Sequence, residues 1–412
     1  MLAAIYVNTH RVGEIADGEE DEDKTTVSIL HVGKYFPPYR GGMETFLHDL
    51  MIEQARQRLD VSAIVHAHEP SLRSTLEYIG ERGKTQLIVR VARWFTLAFA
   101  PVSPTFALEL DRLIRDQKPD ILHIHMPNMS ALWCLLLPRA RRLSWVVHWH
   151  ADVLASKHSQ VLRWLYWLYR PLEKGVLRRA SHIVSTSPPY IETSVPLSTH
   201  LDRCSVIPLG ISEIPNAEAV TNHAPKGAAL RVLFVGRLTY YKGLSYLIHA
   251  VAGLDDVELR IVGTGEEGDS LKRLANRLEA GARVVFLGSL SDNDVAVELS
   301  DCDCLCLPSI ERTEAFGMVL LEAMRAGRAT LATRVAGSGM GWVVSDGESG
   351  LLVDPENDLA IRAALETLRD NPSTCSRMGA AGQKRFIENF TMRTISERLA
   401  SRYRTCLAEN HL

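Results

Sequence analysis

Glu314 and Glu322 stand eight residues apart in the run S-I-E-R-T-E-A-F-G-M-V-L-L-E-A-M-R-A-G, from Ser309 to Gly327. D-C-D-C-L-C-L-P precedes it, an apolar run ended by Pro308 that reads as a buried strand arriving at a loop. Met318 to Ala326 carries apolar residues at helical spacing and is closed by Gly327. In this strand, loop and helix, Glu314 can meet a ligand at the helix mouth, and Glu322, about two turns further on, can reach it from the side. Ala315, Phe316, Gly317 and Met318 between them offer backbone amides at a helix N-terminus, where unpaired N–H groups and the helix dipole favour a phosphate. One site would then hold polyol hydroxyls and phosphate together. The same glutamates on an ordinary amphipathic helix would be a solvated face, so other stretches must decide.

A second chemistry-bearing stretch is R-V-L-F-V-G-R-L-T-Y-Y-K-G-L, from Arg231. Its β-rich run ends at Gly236, and Arg237 and Lys242 bracket a short loop before a helix near Leu244. Two cations beside a glycine at a strand's C-terminal end suit a pyrophosphate, with Arg gripping two oxygens and Lys acting as a point charge. Near the other end of the chain, Gly41 and Gly42 precede a helix from about Thr45, where a backbone without Cβ can approach a ligand closely.

Three motifs resemble sites of other kinds. W-V-V-H-W-H-A-D places His148 and His150 on one face of a strand, with Asp152 beyond its end; without a further ligand cluster, no metal is expected there. Asp301 and Asp303 in D-C-D read as the entry to an alternating strand. Gly263, Gly265 and Gly268 match the G-x-G-x-x-G of dinucleotide binding, but they follow the second strand of their domain, whereas the nicotinamide fingerprint belongs to the first. The glutamates within that loop would also repel a pyrophosphate.

These residues need strand ends to carry them. Val27–Val32, Val61–His66, Ile121–His125, Trp145–His150, Ile183–Thr186 and Ser205–Ile207 read as strands of a first α/β domain, residues 27–211. Residues 212–229 change to Pro, Ala, Asn and Gly and read as a linker. A second domain, 230–390, has strands at Val257–Val262, Val284–Gly288 and Gly350–Asp354, then helical patterns from Asp358 to about Arg369 and from Met378 to about Asn389. Residues 391–412 form a last helix that could cross back to the first domain, and residues 1–26 read as a flexible tail with an acidic cluster at Glu19 to Asp23.

At 412 residues the chain can hold two domains with separate cores, and a net charge of −3 gives no support to a nucleic-acid partner. Its seven cysteines contain no C-x-x-C pair, which points to small core residues in a reducing compartment rather than disulfides or zinc knuckles. No apolar run approaches the roughly 18 residues that span a bilayer. A cytoplasmic location follows as the expectation.

G-G-M-E at Gly41–Glu44, H-A-D at His150–Asp152, G-R with K-G at Gly236–Gly243, and E-x7-E at Glu314–Glu322 resemble, in this order, the motifs of the retaining glycosyltransferases of family 4. The resemblance runs from about Val27 to the C-terminal region. It implies the GT-B fold, two Rossmann-like doubly wound domains facing across a cleft, and transfer of a hexose from a nucleotide-diphosphate sugar to a sugar or lipid-linked hydroxyl. By analogy with that family, Arg237 and Lys242 offset charge on the departing pyrophosphate, with Gly236 beside them, and the Gly41–Gly42 backbone closes on it. Glu314 holds sugar hydroxyls, Glu322 the ribose hydroxyls, and His150, with Asp152 next to it, positions the sugar. Phe316, Gly317, Met318 and Val319 complete the substrate-binding set. No cofactor and no metal is implied. The alternatives are a nucleotide-sugar-binding protein without catalysis and a nicotinamide-dependent oxidoreductase resting on G-T-G-E-E-G.

Many such transferases act on lipid-linked acceptors, which bears on Val161 to Tyr169, V-L-R-W-L-Y-W-L-Y. This helix is apolar on nearly every face and is either buried or set at a lipid interface. In the second case Trp164, Tyr166, Trp167 and Tyr169 would sit at headgroup level, and Arg170, Lys174, Arg178 and Arg179 would meet anionic lipid. Reversible contact with the inner membrane surface is the corresponding expectation.

Overall fold

The computed structural model describes residues 26–39, 41–80, 85–97, 100–153, 160–213 and 229–410. All but the last residue of the expected tail, almost all of the expected linker and the side chains of residues 161–165 lie outside them.

The first half of the chain builds one eight-stranded sheet. Its strands are β1 (Ser28–Val32), β2 (Asp60–His66), β3 (Thr75–Ile79) and β4 (Gln86–Val91), then, after a small hairpin of β5 (Phe95–Leu97) and β6 (Ala100–Val102), β7 (Ile121–Met126), β8 (Ser144–Trp149), β9 (His182–Ser185) and β10 (Cys204–Val206). The order is β10-β9-β8-β7-β1-β2-β4-β3, parallel except for the edge strand β3. β7 and β8 are buried along their whole length, as near-continuous apolar runs flanked by helices should be. Those helices are α1 (Gly42–Arg56), α2 (Phe106–Gln117), α3 (Ala131–Leu136), α4 (Gln160–Arg179) and α5 (Pro188–Thr193).

The second half forms a six-stranded sheet, parallel throughout, from β11 (Leu230–Val235), β12 (Val257–Val262), β13 (Val284–Gly288), β14 (Cys304–Leu307), β15 (Ala329–Thr333) and β16 (Gly350–Val353). Its order, β13-β12-β11-β14-β15-β16, reverses direction between β11 and β14. That switch opens a crevice beyond the strands' carboxyl ends, where doubly wound sheets bind ligands. The helices are α6 (Leu244–Ala252), α7 (Gly268–Arg277), α8 (Asp292–Asp301), α9 (Met318–Arg325), α10 (Met340–Val343), α11 (Asp358–Asp370), α12 (Pro372–Asn389) and α13 (Met392–Asn410).

Asp301 ends α8 instead of opening a strand, because Ser291 caps that helix and its pattern runs to the turn before Cys302. β14 starts only at Cys304, and Asp303 accepts a hydrogen bond from the Arg231 backbone N–H at 2.8 Å. α12 begins six residues before the expected Met378, with Pro372 in its first turn, where the missing N–H costs nothing.

α13 crosses back to the first domain, as the terminal helix of the GT-B fold does. Ile211, leaving that domain, accepts from Met392 N–H at 3.0 Å and donates to Phe390 O at 3.1 Å, so the two crossovers lie side by side. Ile395, Leu399 and Tyr403 on α13 are buried, and the helix packs on α1 and β8. Each such burial contributes roughly 1.5–3 kcal/mol relative to exposure. Tyr403 also hydrogen-bonds to Gln54 of α1 and His123 of β7.

Candidate active site

β14 ends at Leu307, and the loop that follows carries Glu314 to the mouth of α9. Gly317 makes the turn into the helix with φ of 82°, a left-handed conformation in which a Cβ would also press on Leu320 and Leu307 at 2.9 and 3.0 Å. Glycine here is a steric demand. It leaves the first amides of α9, from Met318 and Val319, without partners within the helix. Phe316 is buried behind them and Glu322 lies half-buried on the next turn. Burial raises the Glu322 carboxyl, opposed by Arg325 and aided by Asp292.

Across the switch point, β11 runs into Gly236 and an exposed Arg237. The short turn Tyr240–Lys242 then returns Lys242 to the strand end, its Nζ 3.4 Å from where a Cβ on Gly236 would stand. Lys242 donates to the Glu314 carboxylate, and both side chains are nearly buried. Burial alone would lower the Lys242 ammonium, but Glu314 outweighs it and the pKa is raised.

The first domain brings its glycine loop to this site. A Cβ on Gly42 would stand 3.5 Å from Met318 Cγ, so Gly42 faces the N-terminus of α9 directly. Gly41 caps α1, with the Glu44 carboxylate folded against it. Glu44 is buried, which raises its pKa, opposed by its own backbone N–H and by Lys34. Arg237 is near enough to the Tyr39 hydroxyl in the same loop to lower its pKa, although burial and Glu44 raise it on balance.

His150 follows β8 and is buried, with Nε2 3.0 Å from His125 Nδ1 and Phe46 packed edge-on at 5.7 Å. Its Nδ1 has no partner among the described residues. Burial lowers its pKa to about 3, so the ring is neutral. His148 is stacked on it, centroids 4.3 Å apart.

Asp152 has both carboxylate oxygens held by the protein. Trp149 Nε1 donates to Oδ1 at 2.8 Å, Ser194 Oγ to the same oxygen at 2.7 Å, and Arg312 Nη1 to Oδ2 at 2.7 Å. Arg312 belongs to the second domain, lies 3.9 Å from the Tyr190 ring centroid and also donates to the Gly337 carbonyl. Asp152 is therefore a bridge between the domains, beside His150 in sequence, with both carboxylate oxygens engaged by these contacts. Arg312 went unnoticed in the sequence because it sits between Glu311 and Glu314, where charge spacing alone reads as surface.

The glycine motif after β12 has a structural role. A Cβ on Gly263, which has φ of 132°, would land on the Gly236 backbone carbonyl. The glycine lets two strand ends approach beneath the Arg237 loop.

Two histidine groups, His31 with His123 and His125, and His125 with His148 and His150, have ligand atoms within 4.8 Å of one another. Sequence reading missed their convergence. The alternation H-x-H at 123 and 125 and again at 148 and 150 was its one signal.

Residues 41–210 match a family model described as glycosyl transferase 4-like domain, and residues 218–385 one described as glycosyl transferases group 1. The chain is 30% identical over 386 residues to O-antigen chain mannosyltransferase C of Escherichia coli, covering 92% of this chain and 98% of that one. It is 33% identical over 296 residues to the D-rhamnosyltransferase WbpZ of Pseudomonas aeruginosa, covering 70% and 75%. Among solved structures, sucrose-phosphate synthase from Thermosynechococcus elongatus superposes with a TM-score of 0.74 at 21% identity, over 93% of this chain and 100% of the other.

Proposed function

The chain belongs to the family 4 glycosyltransferases of the GT-B fold, and from that premise we propose that it moves a manno-configured hexose from a nucleoside-diphosphate sugar to a hydroxyl of a saccharide or lipid-linked acceptor, with retention at the anomeric carbon. The relatives support this hexose, since one is named a mannosyltransferase and another a D-rhamnosyltransferase, and D-rhamnose is 6-deoxymannose. A polysaccharide or glycolipid product is the matching expectation.

The observation that carries the reading is the convergence of Lys242, Glu314 and the N-terminus of α9 at one strand edge, with Gly42 of the other domain facing them. As the bond to the leaving phosphate breaks, Arg237, Lys242 and the α9 amides take up the growing negative charge, the main electrostatic demand of glycosyl transfer. With that charge met by protein cations, the step needs no metal. Glu314 holds sugar hydroxyls, Glu322 the ribose, and His150 the sugar near the reacting carbon. Asp152 keeps Arg312 and so the two domains in register. Glu314 and Glu322 are assigned to hydroxyls and not to the anomeric carbon, and on that assignment the acceptor attacks on the face from which the phosphate leaves.

Thermal shift of the purified protein against a panel of nucleotide sugars tests the donor. Manno-configured donors should raise the melting temperature most, and a flat response across the panel would refute the assignment. A binding protein without catalysis would give the same shift but no donor hydrolysis or transfer.

A further inference from the structure

A file of buried side chains runs from α1 to the site. Gln54 Oε1 lies 2.8 Å from His31 Nε2, His31 Nδ1 lies 3.1 Å from His125 Nε2, and His125 Nδ1 lies 3.0 Å from His150 Nε2. The His125 and His150 planes differ by 16° with centroids 5.3 Å apart, so their bond runs edge to edge. Burial lowers His31 to about 4 and His150 to about 3, and drives His125 well down as well, which leaves three neutral rings. A neutral imidazole has one donor and one acceptor. The direction of the first bond therefore dictates the direction of all the others.

Tyr403 sets that first direction. Its hydroxyl lies 2.6 Å from His123 Nδ1 and 3.1 Å from Gln54 Nε2. An amide NH2 group can only donate, so the Gln54 contact is a bond to the phenol oxygen, and the phenol's own proton then goes to His123 Nδ1. With its NH2 group turned to Tyr403, Gln54 presents Oε1 to His31. His31 then donates from Nε2 and accepts at Nδ1, His125 does the same, and His150 donates from Nε2. Nothing is left at His150 Nδ1 but a lone pair, and that buried atom has no partner among the described residues.

We infer that Gln54, His31 and His125, oriented by Tyr403 of the terminal helix, are positioning residues that hold His150 as the Nε2–H tautomer, so that Nδ1 accepts a hydrogen bond from a hydroxyl of the donor sugar. The inference rests on the reading that His150 meets the sugar. A lone pair at Nδ1 selects a hydroxyl, which can donate, over a phosphate oxygen, which cannot. It also gives α13 a part in the site beyond packing. A metal shared by His148 and His150 conflicts with the geometry: their planes are 3° from parallel at a centroid distance of 4.3 Å, and an ion bound in the plane of one ring lies out of the plane of the other.

The test is nitrogen-15 spectroscopy of the histidines in the ligand-free protein near pH 7, which separates Nε2–H from Nδ1–H rings. His31, His125 and His150 should all be Nε2–H; an Nδ1–H ring at His150 overturns the inference, whatever the activity. In Tyr403→Phe the Gln54 amide loses its fixed partner, so His150 should become a mixture of tautomers. kcat should then fall about tenfold, the scale of one lost hydrogen bond, while the donor KM stays within about twofold. Wild-type kcat with an unchanged His150 spectrum, while His150→Ala is inactive, removes the positioning role and keeps the sugar contact. Wild-type turnover by His150→Ala removes the sugar contact itself.

Discussion

Lys242 and Glu314 are hydrogen-bonded to each other across the switch point of the second sheet, one proposed to meet phosphate and the other sugar. A donor wedged between them would exchange this pair for two separate contacts, with the Lys242 charge turned to the pyrophosphate. Lys242→Ala and Arg237→Ala should each lower kcat/KM by roughly 10²-fold or more, as when a donor to transition-state charge is removed. Steady-state kinetics with a turned-over donor checks this, and wild-type values in both variants would rule out the pyrophosphate role.

Glu322 and Glu314 separate in a binding experiment. Glu322→Ala should weaken the bare nucleoside diphosphate, because Glu322 is assigned to the ribose, whereas Glu314→Ala should weaken only the intact nucleotide sugar. Calorimetric titration with both ligands decides, and equal losses in the two variants would sink the division. Glu314→Ala also leaves Lys242 without its buried partner, so its melting temperature needs measuring alongside.

How much of this was legible beforehand depended on whether a feature is local. Gly317, Glu314 and Glu322 are near neighbours in sequence, and helix periodicity alone placed them at one strand end. The pairing of Asp152 with Arg312 spans 160 residues. Nothing in either stretch announces it, since a salt bridge between domains depends on how they dock. The histidine file is an intermediate case. Alternation put His123 and His125, and His148 and His150, on single strand faces. Only the register, with His31 beside His123 and His125 beside His148, sets the rings in a file.

That file has a consequence for stability. His31 and His150 are held neutral with pKa values of about 4 and 3, below the unfolded value of 6.5. A group depressed on folding contributes stability that is present above its unfolded pKa and lost as pH falls through its folded pKa. The unfolding free energy should therefore drop from pH 6.5 down towards pH 3–4, with more than one proton taken up per molecule unfolded. Denaturant titrations across that range check it, and a flat profile from pH 6.5 to 4 would show that the rings are not buried as described.

Activity should survive a strong chelator. Arg237, Lys242 and the α9 amides can meet the phosphate charge, and the parallel stacking of His148 on His150 does not converge on an ion. Turnover after treatment with chelator, with and without added magnesium or manganese, is the measurement. Loss restored by either ion would overturn the assignment of charge compensation to protein groups.

The acceptor prediction turns on α4. Among the described residues no helix is long and apolar enough to cross a membrane. Of the expected segment only Tyr166 to Tyr169 have described side chains: Tyr169 packs inward, as do Leu172, Val176 and Leu177 further along α4, while Trp167 and Leu168 are 73% and 59% exposed. Arg170, Lys174 and Arg178 are also exposed. Arg179 departs from expectation, because its guanidinium donates to the Leu143 carbonyl at 2.9 Å and lies 5.1 Å from the Trp145 ring centroid, so it is committed to the fold. Three exposed cations at about 1 kcal/mol each near an anionic surface, beside an exposed tryptophan, suit reversible docking and a lipid-linked acceptor. Co-sedimentation with anionic vesicles should fall with added salt and with charge reversal at Lys174 and Arg178, whereas Arg179→Glu should instead lower the melting temperature. Protein that stays in the supernatant at low salt would make a soluble saccharide the better acceptor.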